Sequence, residues 1–134
     1  MSPGKVKFAL DTNAVIALLK KEVGLIAWLR RHDPGDFGLP AVVMHEMFYG
    51  ALKSRRREEN LGHLRLLPFE VLQFDAEDAR VAGQIRVELE QRGSPIGPYD
   101  LLIAGQALSR GLTLVTRNTR EFSRVPRLQI VEGR

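Results

Sequence analysis

Four polar residues interrupt apolar stretches of this chain and are the ones with chemistry to offer: Asp11, Glu46, Asp100 and Asn118. Asp11 ends the run Val6-Lys7-Phe8-Ala9-Leu10 and is followed by Thr12 and Asn13. Glu46 sits among Val42, Val43, Met47 and Gly50, which on a helix at ~100° per residue share an arc of roughly 140°. An unpaired carboxylate there would cost several kcal/mol or be neutralised, so it needs a partner. Asp100 opens a nearly all-apolar stretch, and Asn118 follows Leu112-Thr113-Leu114-Val115-Thr116. Each has a structural explanation of its own: Asp11 as a helix cap, Asp100 as a complement to a helix N-terminus, Asn118 as a turn residue, Glu46 as half of a salt bridge. Carboxylates gathered in one place repel and raise one another's pKa unless a cation sits between them. An all-oxygen set without His or Cys suits Mg²⁺ or Mn²⁺ rather than zinc. Such a centre hydrolyses phosphodiesters by holding a non-bridging oxygen, lowering the pKa of the attacking water and stabilising the leaving oxygen.

The elements that must position these residues follow from periodicity and turn chemistry. The run ending at Leu10 reads as a strand covered on both faces, which delivers Asp11 to a carboxyl end, where ligand sites of open α/β sheets lie. Ala14 to Leu19 reads as a helix packing back on that strand, and Val23 to Leu29 as a second helix broken by Arg30-Arg31-His32-Asp33-Pro34-Gly35. Phe37-Gly38-Leu39 is a short second strand. Pro40 suits the first turn of the helix that carries Glu46 and runs to Lys53. Glu58 opens another helix holding Leu61, Leu64 and Leu67, which Pro68 ends. Val71 to Phe74 reads as a third strand. Asp75, with Asp78 three residues on, starts a helix over Ala76 to Gln91 that Gly93 stops. After the loop Ser94 to Pro98, Tyr99 to Arg110 is a buried helix closed by Gly111, and Leu112 to Thr116 is a fourth strand. One helical turn near Glu121 and Phe122 and a last strand at Leu128 to Val131 complete the chain.

Strands separated by helices imply right-handed crossovers, hence an α/β fold with a parallel sheet of four to five strands flanked by helices. On such a sheet Asp11 and Asn118 leave the same edge, and Asp100 opens the helix leading to the strand that ends at Thr116. With 134 residues, 44% of them hydrophobic and 27% charged, the chain is expected to be one globular domain over residues 1–134. A net charge of +4 mildly favours an anionic partner. The absence of cysteine excludes disulfide frameworks and thiolate zinc sites and fits a reducing compartment. Met1-Ser2-Pro3-Gly4-Lys5 carries no secretory pattern, and no apolar run approaches the ~18 residues of a membrane span. The expectation is a soluble cytoplasmic domain without a membrane partner.

Other motifs fail on their residues. His45-Glu46-Met47-Phe48-Tyr49 begins like the helical zinc-protease motif but has Tyr49 where the second histidine must be. Gly93-Ser94-Pro95-Ile96-Gly97 follows no strand and is not a dinucleotide fingerprint. His32, His45 and His63 fall on separate segments, and Ser109 has no base near it and reads as a surface hydroxyl. An aspartyl-phosphate reading with Asp11 as nucleophile lacks a second Asp two residues on.

The residues nonetheless form a recognisable set. Phe8-Ala9-Leu10-Asp11-Thr12-Asn13, Val43-Met44-His45-Glu46-Met47-Phe48-Tyr49-Gly50, Tyr99-Asp100-Leu101-Leu102-Ile103-Ala104 and Leu114-Val115-Thr116-Arg117-Asn118-Thr119-Arg120-Glu121-Phe122 occur in this order over nearly the whole chain. In this they resemble the PIN-domain ribonucleases and, among them, the VapC-type toxins of toxin–antitoxin pairs. The resemblance implies a Mg²⁺- or Mn²⁺-dependent endoribonuclease, a homodimer restrained by a cognate VapB-type antitoxin. It implies that Asp11 and Asp100 hold the metal, that Glu46 assists directly or through water, and that Thr12, Thr116 and Asn118 orient the surrounding shell. Many family members carry Asp where Asn118 stands; an amide adds no charge, and Glu121 compensates only if its loop turns inward. Arg55, Arg56 and Arg57 belong to the densest basic cluster and are candidate RNA contacts, since phosphate contacts supply most nonspecific affinity. The alternative is a noncatalytic module that binds nucleic acid or protein on the same fold.

Overall fold

The computed structural model describes residues 5–134; the start of the chain at Met1, read above as carrying no secretory pattern, lies outside them. Five short strands, β1 (Phe8–Leu10), β2 (Phe37–Pro40), β3 (Glu70–Leu72), β4 (Thr113–Val115) and β5 (Ile130–Val131), form one sheet in the order β3-β2-β1-β4-β5. All four pairings are parallel. Helices α1 (Thr12–Leu19), α2 (Val23–Leu29), α3 (Ala41–Lys53), α4 (Arg57–Arg65), α5 (Ala76–Gln91), α6 (Pro98–Ser109) and α7 (Thr119–Phe122) connect them.

The chain leaves β1 toward β2 and β3 on one side and returns to β4 on the other, so the strand order reverses between β1 and β4. A crevice opens at such a point beyond the strands' carboxyl ends. Its walls are fixed by pairing that outlasts the strands: the Asp11 N–H donates to Val115 O at 3.1 Å, and the Thr116 N–H to Val131 O at 2.9 Å. Asp11 and Asn118 therefore emerge side by side.

The core explains why these segments settle where they do. Leu10, Val15, Leu39, Val43, Ile85, Ile103, Leu114 and Phe122 are fully buried, each such side chain contributing about 2 kcal/mol of apolar transfer. α5 and α6 touch closely because Gly105 faces Ala82: a β-carbon at Gly105 would stand 2.6 Å from that of Ala82. Asp100 at the start of α6 is carried on this rigid pair.

Element limits depart from the sequence reading in places that have local causes. β3 covers Glu70–Leu72 rather than reaching Phe74, because the Gln73 carbonyl is taken by Gln106 Nε2 at 3.0 Å and by Arg110. α6 begins at Pro98, one residue early, since proline fits a first helical turn. Pro40 closes β2 and stands before α3 instead of within it. Ser109 is not a surface hydroxyl: it is half-buried and donates to Asp78 Oδ1 at 2.5 Å. Among the described residues no helix is long and apolar enough to cross a membrane.

Candidate functional site

β1 ends where Asp11 turns the chain into α1. Its Oδ1 accepts from the Ala14 N–H at 2.8 Å, so the carboxylate caps the helix it precedes. Only 2% of Asp11 is exposed. Burial pushes its pKa up and the nearby Glu46 charge adds to the push, while the Thr116 hydroxyl, the Ala14 N–H and the Arg117 charge pull down without reversing it.

Glu46 reaches this point from α3. The Thr12 hydroxyl donates to its Oε1 at 2.7 Å. Among the described residues this hydroxyl, not an arginine or lysine, is the hydrogen-bond partner of the carboxylate that the apolar arc of α3 made conspicuous.

Asp100 lies in the first turn of α6 and is half-buried. Its pKa is raised to about 7, first by burial and then by Glu121, whose carboxylate repels it and shares a hydrogen bond with it; Asp11 and Glu46 push in the same direction. Glu121 is thus turned inward. Its Oε1 accepts from the Gly97 N–H at 2.7 Å and its Oε2 from Asn118 Nδ2 at 2.8 Å. Burial pushes Glu121 up, yet these two donors, the Asp100 proton and the Arg124 charge hold it below the usual carboxylate range. The two carboxylates are thus driven apart, Asp100 upward and Glu121 downward.

Asn118 works through its neighbour. Its backbone N–H donates to Thr116 Oγ1 at 2.9 Å, and its amide secures Glu121. The charge that the amide lacks is supplied three residues later. Thr116 itself is completely buried.

The structure thus gathers Asp11, Thr12, Glu46, Asp100, Thr116 and Asn118 at one sheet edge and adds Glu121. No Lys or Arg hydrogen-bonds to any of the carboxylates of this set among the described residues. As they stand, no group of three or more His, Asp or Glu side chains among the described residues is arranged to hold an ion. The donor set is nevertheless the hard oxygen set that suits Mg²⁺ or Mn²⁺.

Arg55, Arg56 and Arg57 are exposed where α3 gives way to α4 and are not drawn to the acids as a group. Arg57 Nε donates to Leu52 O at 2.9 Å, and Arg56 stands 3.8 Å from Glu59. Arg56 alone of the three lines a cleft of about 890 Å³ that Thr12, His45, Glu46, His63 and Tyr99 also line. His45 and Tyr99, unassigned by the sequence reading, meet at its wall with Tyr99 Oη 3.5 Å from His45 Nε2. Each neighbours a site acid in sequence, the one signal that could have marked them.

Comparison with known proteins agrees with this geometry. The PIN domain pattern matches residues 8–128. The tRNA(fMet)-specific endonuclease VapC of Shigella flexneri is 43% identical over 90% of this chain and 92% of its own, and that of Salmonella typhimurium 41% identical over 93% and 96%. The DNA-bound VapBC complex of Salmonella typhimurium superposes with a TM-score of 0.89 at 38% identity, covering 95% of this chain and 98% of the other. VapBC-1 of nontypeable Haemophilus influenzae does so with a TM-score of 0.86 at 30% identity, over 96% and 98%. A chain matched to this extent by both sequence and fold belongs to the PIN-domain family and, within it, to the VapC ribonucleases.

Proposed function

We propose that this protein is a Mg²⁺- or Mn²⁺-dependent endoribonuclease and the toxin of a toxin–antitoxin pair. The observation that carries the reading is the convergence of Asp11, Glu46, Asp100 and Glu121 at the point where the strand order reverses, with no arginine or lysine hydrogen-bonded to them among the described residues. Asp11 and Asp100 would hold the metal, which supplies Lewis-acid stabilisation of the phosphate and a lowered pKa for the attacking water. Thr12 fixes the Glu46 carboxylate so that it can accept a proton from that water or steady it. Asn118 and Gly97 orient Glu121, and Glu121 in turn sets Asp100. Of the basic cluster, Arg56 is the residue we assign to an RNA phosphate, because it lines the cleft that Glu46 lines.

The restraining partner is a VapB-type antitoxin, as in the VapBC complexes to which the chain is similar. We assign a homodimer as the active assembly, with the whole chain as one domain in each subunit. The two relatives specific for tRNA(fMet) make initiator tRNA the first RNA to try. We favour the nuclease over a noncatalytic module because Glu121, bonded by the Asn118 amide, offers the charge that the amide lacks.

The test is incubation of purified, antitoxin-free protein with initiator tRNA and with total RNA, in Mg²⁺, in Mn²⁺ and in EDTA, beside Asp100→Asn. Discrete fragments from the intact protein with metal alone are expected. Folded protein whose melting temperature rises with metal but which cuts neither RNA would overturn the nuclease reading.

A further inference from the structure

Arg117 stands between Thr116 and Asn118; its charge is felt at Asp11, but its guanidinium hydrogen-bonds to none of the acids of the site. Its Nη1 donates to Glu22 Oε2 at 2.9 Å, its Nη2 lies 2.5 Å from Glu22 Oε1, and its Nε donates to the Glu132 carbonyl at 2.6 Å. Glu22 is the residue at which α2 begins. Nη2 also lies 3.5 Å from the Gly133 carbonyl. Gly133 is buried with φ at +75°, and a β-carbon there would stand 2.7 Å from Leu25 Cδ1 and 3.2 Å from Val115 Cγ1. The 132–133 segment is therefore wedged between α2 and β4, and a planar fork bolts it to both.

Such a fork matches a carboxylate and a carbonyl at once, which a single ammonium does not. The Arg117 side chain is only 19% exposed, so the pair with Glu22 is shielded more than an ordinary surface ion pair. The β4–β5 ladder ends with the Thr116 N–H on Val131 O, and the Arg117 side chain extends that attachment by one residue to Glu132. What is held in this way is the backbone that presents the Thr116 hydroxyl to Asp11 and the Asn118 amide to Glu121.

We propose that Arg117 is a positioning residue, which with Glu22 and the 132–133 segment clasps the loop carrying Thr116 and Asn118 in the geometry the acidic site requires. This rests on the nuclease reading for its kinetic consequence but not for its structural one. Misplacement of a catalytic shell by as little as 1 Å costs about a hundredfold in rate. A clasp one residue removed is expected to cost about tenfold.

The experiment compares Arg117→Ala, Arg117→Lys, Glu22→Gln and the Arg117→Ala/Glu22→Gln pair in steady-state cleavage and in hydrogen exchange of the metal-free protein. The clasp requires that Arg117→Ala and Glu22→Gln each lower kcat with KM little changed, and that the pair be no worse than Arg117→Ala alone. It also requires faster exchange over residues 116–121 in both single variants, and only partial recovery with Arg117→Lys. A raised KM, a flatter salt dependence and unchanged exchange in Arg117→Ala, beside a fully active Glu22→Gln, would overturn it and make Arg117 a phosphate contact. If Arg117→Ala does not fold, Glu22→Gln, which preserves shape, carries the test. Should the unaltered protein cut no RNA, the nuclease reading fails, and the exchange pattern alone decides the clasp.

Discussion

Asp11, which caps α1, and Asp78, in the first turn of α5, are buried acids at helix starts, and the molecule treats them oppositely. Both serve helix starts, both hydrogen-bond to backbone N–H groups, and both are buried, at 2% and 0% exposure. Burial pushes each carboxyl up. At Asp78 the push is overcome, because Arg110 Nη2 sits 2.9 Å from Oδ2, Ser109 donates to Oδ1 and the Asp75 N–H to Oδ2. At Asp11 the push prevails, and the nearby Glu46 carboxylate strengthens it. A buried acid whose cation is built into the fold is a fastening between α5 and α6. A buried acid that no arginine or lysine hydrogen-bonds, among the described residues, is the kind our proposal assigns to a metal ion.

The contrast can be broken most decisively through the chemistry. Asp100→Asn should lower RNA cleavage by about a thousandfold or more, roughly 4 kcal/mol of transition-state stabilisation, and abolish the rise in melting temperature on adding Mg²⁺ or Mn²⁺. Asp78→Ala should do the reverse. It removes the buried acceptor of Ser109 and Arg110 and half of a capping box, at about 2 kcal/mol of stability in urea denaturation, while cleavage by the folded fraction is unaltered. Thr12→Val sharpens the comparison on a smaller scale: the lost bond to Glu46 should cost about tenfold in kcat with KM unchanged.

The smallest effect concerns pH. Asp100 has a folded-state pKa of about 7 against 3.8 for the free side chain, so the folded state holds its proton more tightly than the unfolded state does. Its favourable contribution is complete below the lower value and is lost as pH rises through the higher one. The melting temperature of metal-free protein should therefore fall by a few degrees from acid toward neutral and slightly alkaline pH. Asp100→Asn should flatten this slope, and saturating Mg²⁺ should cancel it. A slope unchanged by Asp100→Asn would assign the proton elsewhere.

Much of this was legible in the residues. The apolar run before Asp11, the Asp75 and Asp78 helix start and the glycine after α5 are local signals, and the elements lie where those signals put them. Glu46 was conspicuous because a carboxylate in an apolar arc has few excuses. Sequence left its partner open between a basic residue and the site, since Thr12 stands 34 positions away. Glu121 was legible only conditionally: the i, i+3 spacing from Asn118 allows their bond, but the latch to Gly97 spans 24 positions. Arg117 left no local trace at all, because Glu22 lies 95 residues before it. Long-range polar pairs carry no periodicity, and periodicity is what a single sequence displays.

The cap that Asp11 forms on α1 has a practical side. One oxygen of that carboxyl is committed to the Ala14 amide, a bond that the carbonyl oxygen of asparagine makes equally well. Asp11→Asn should therefore discard the charge while keeping the helix start, and under the proposed role of Asp11 its expression without antitoxin should leave host growth unslowed. The start of α1 thus depends on an oxygen that both side chains possess, and the charge can be removed separately from the cap.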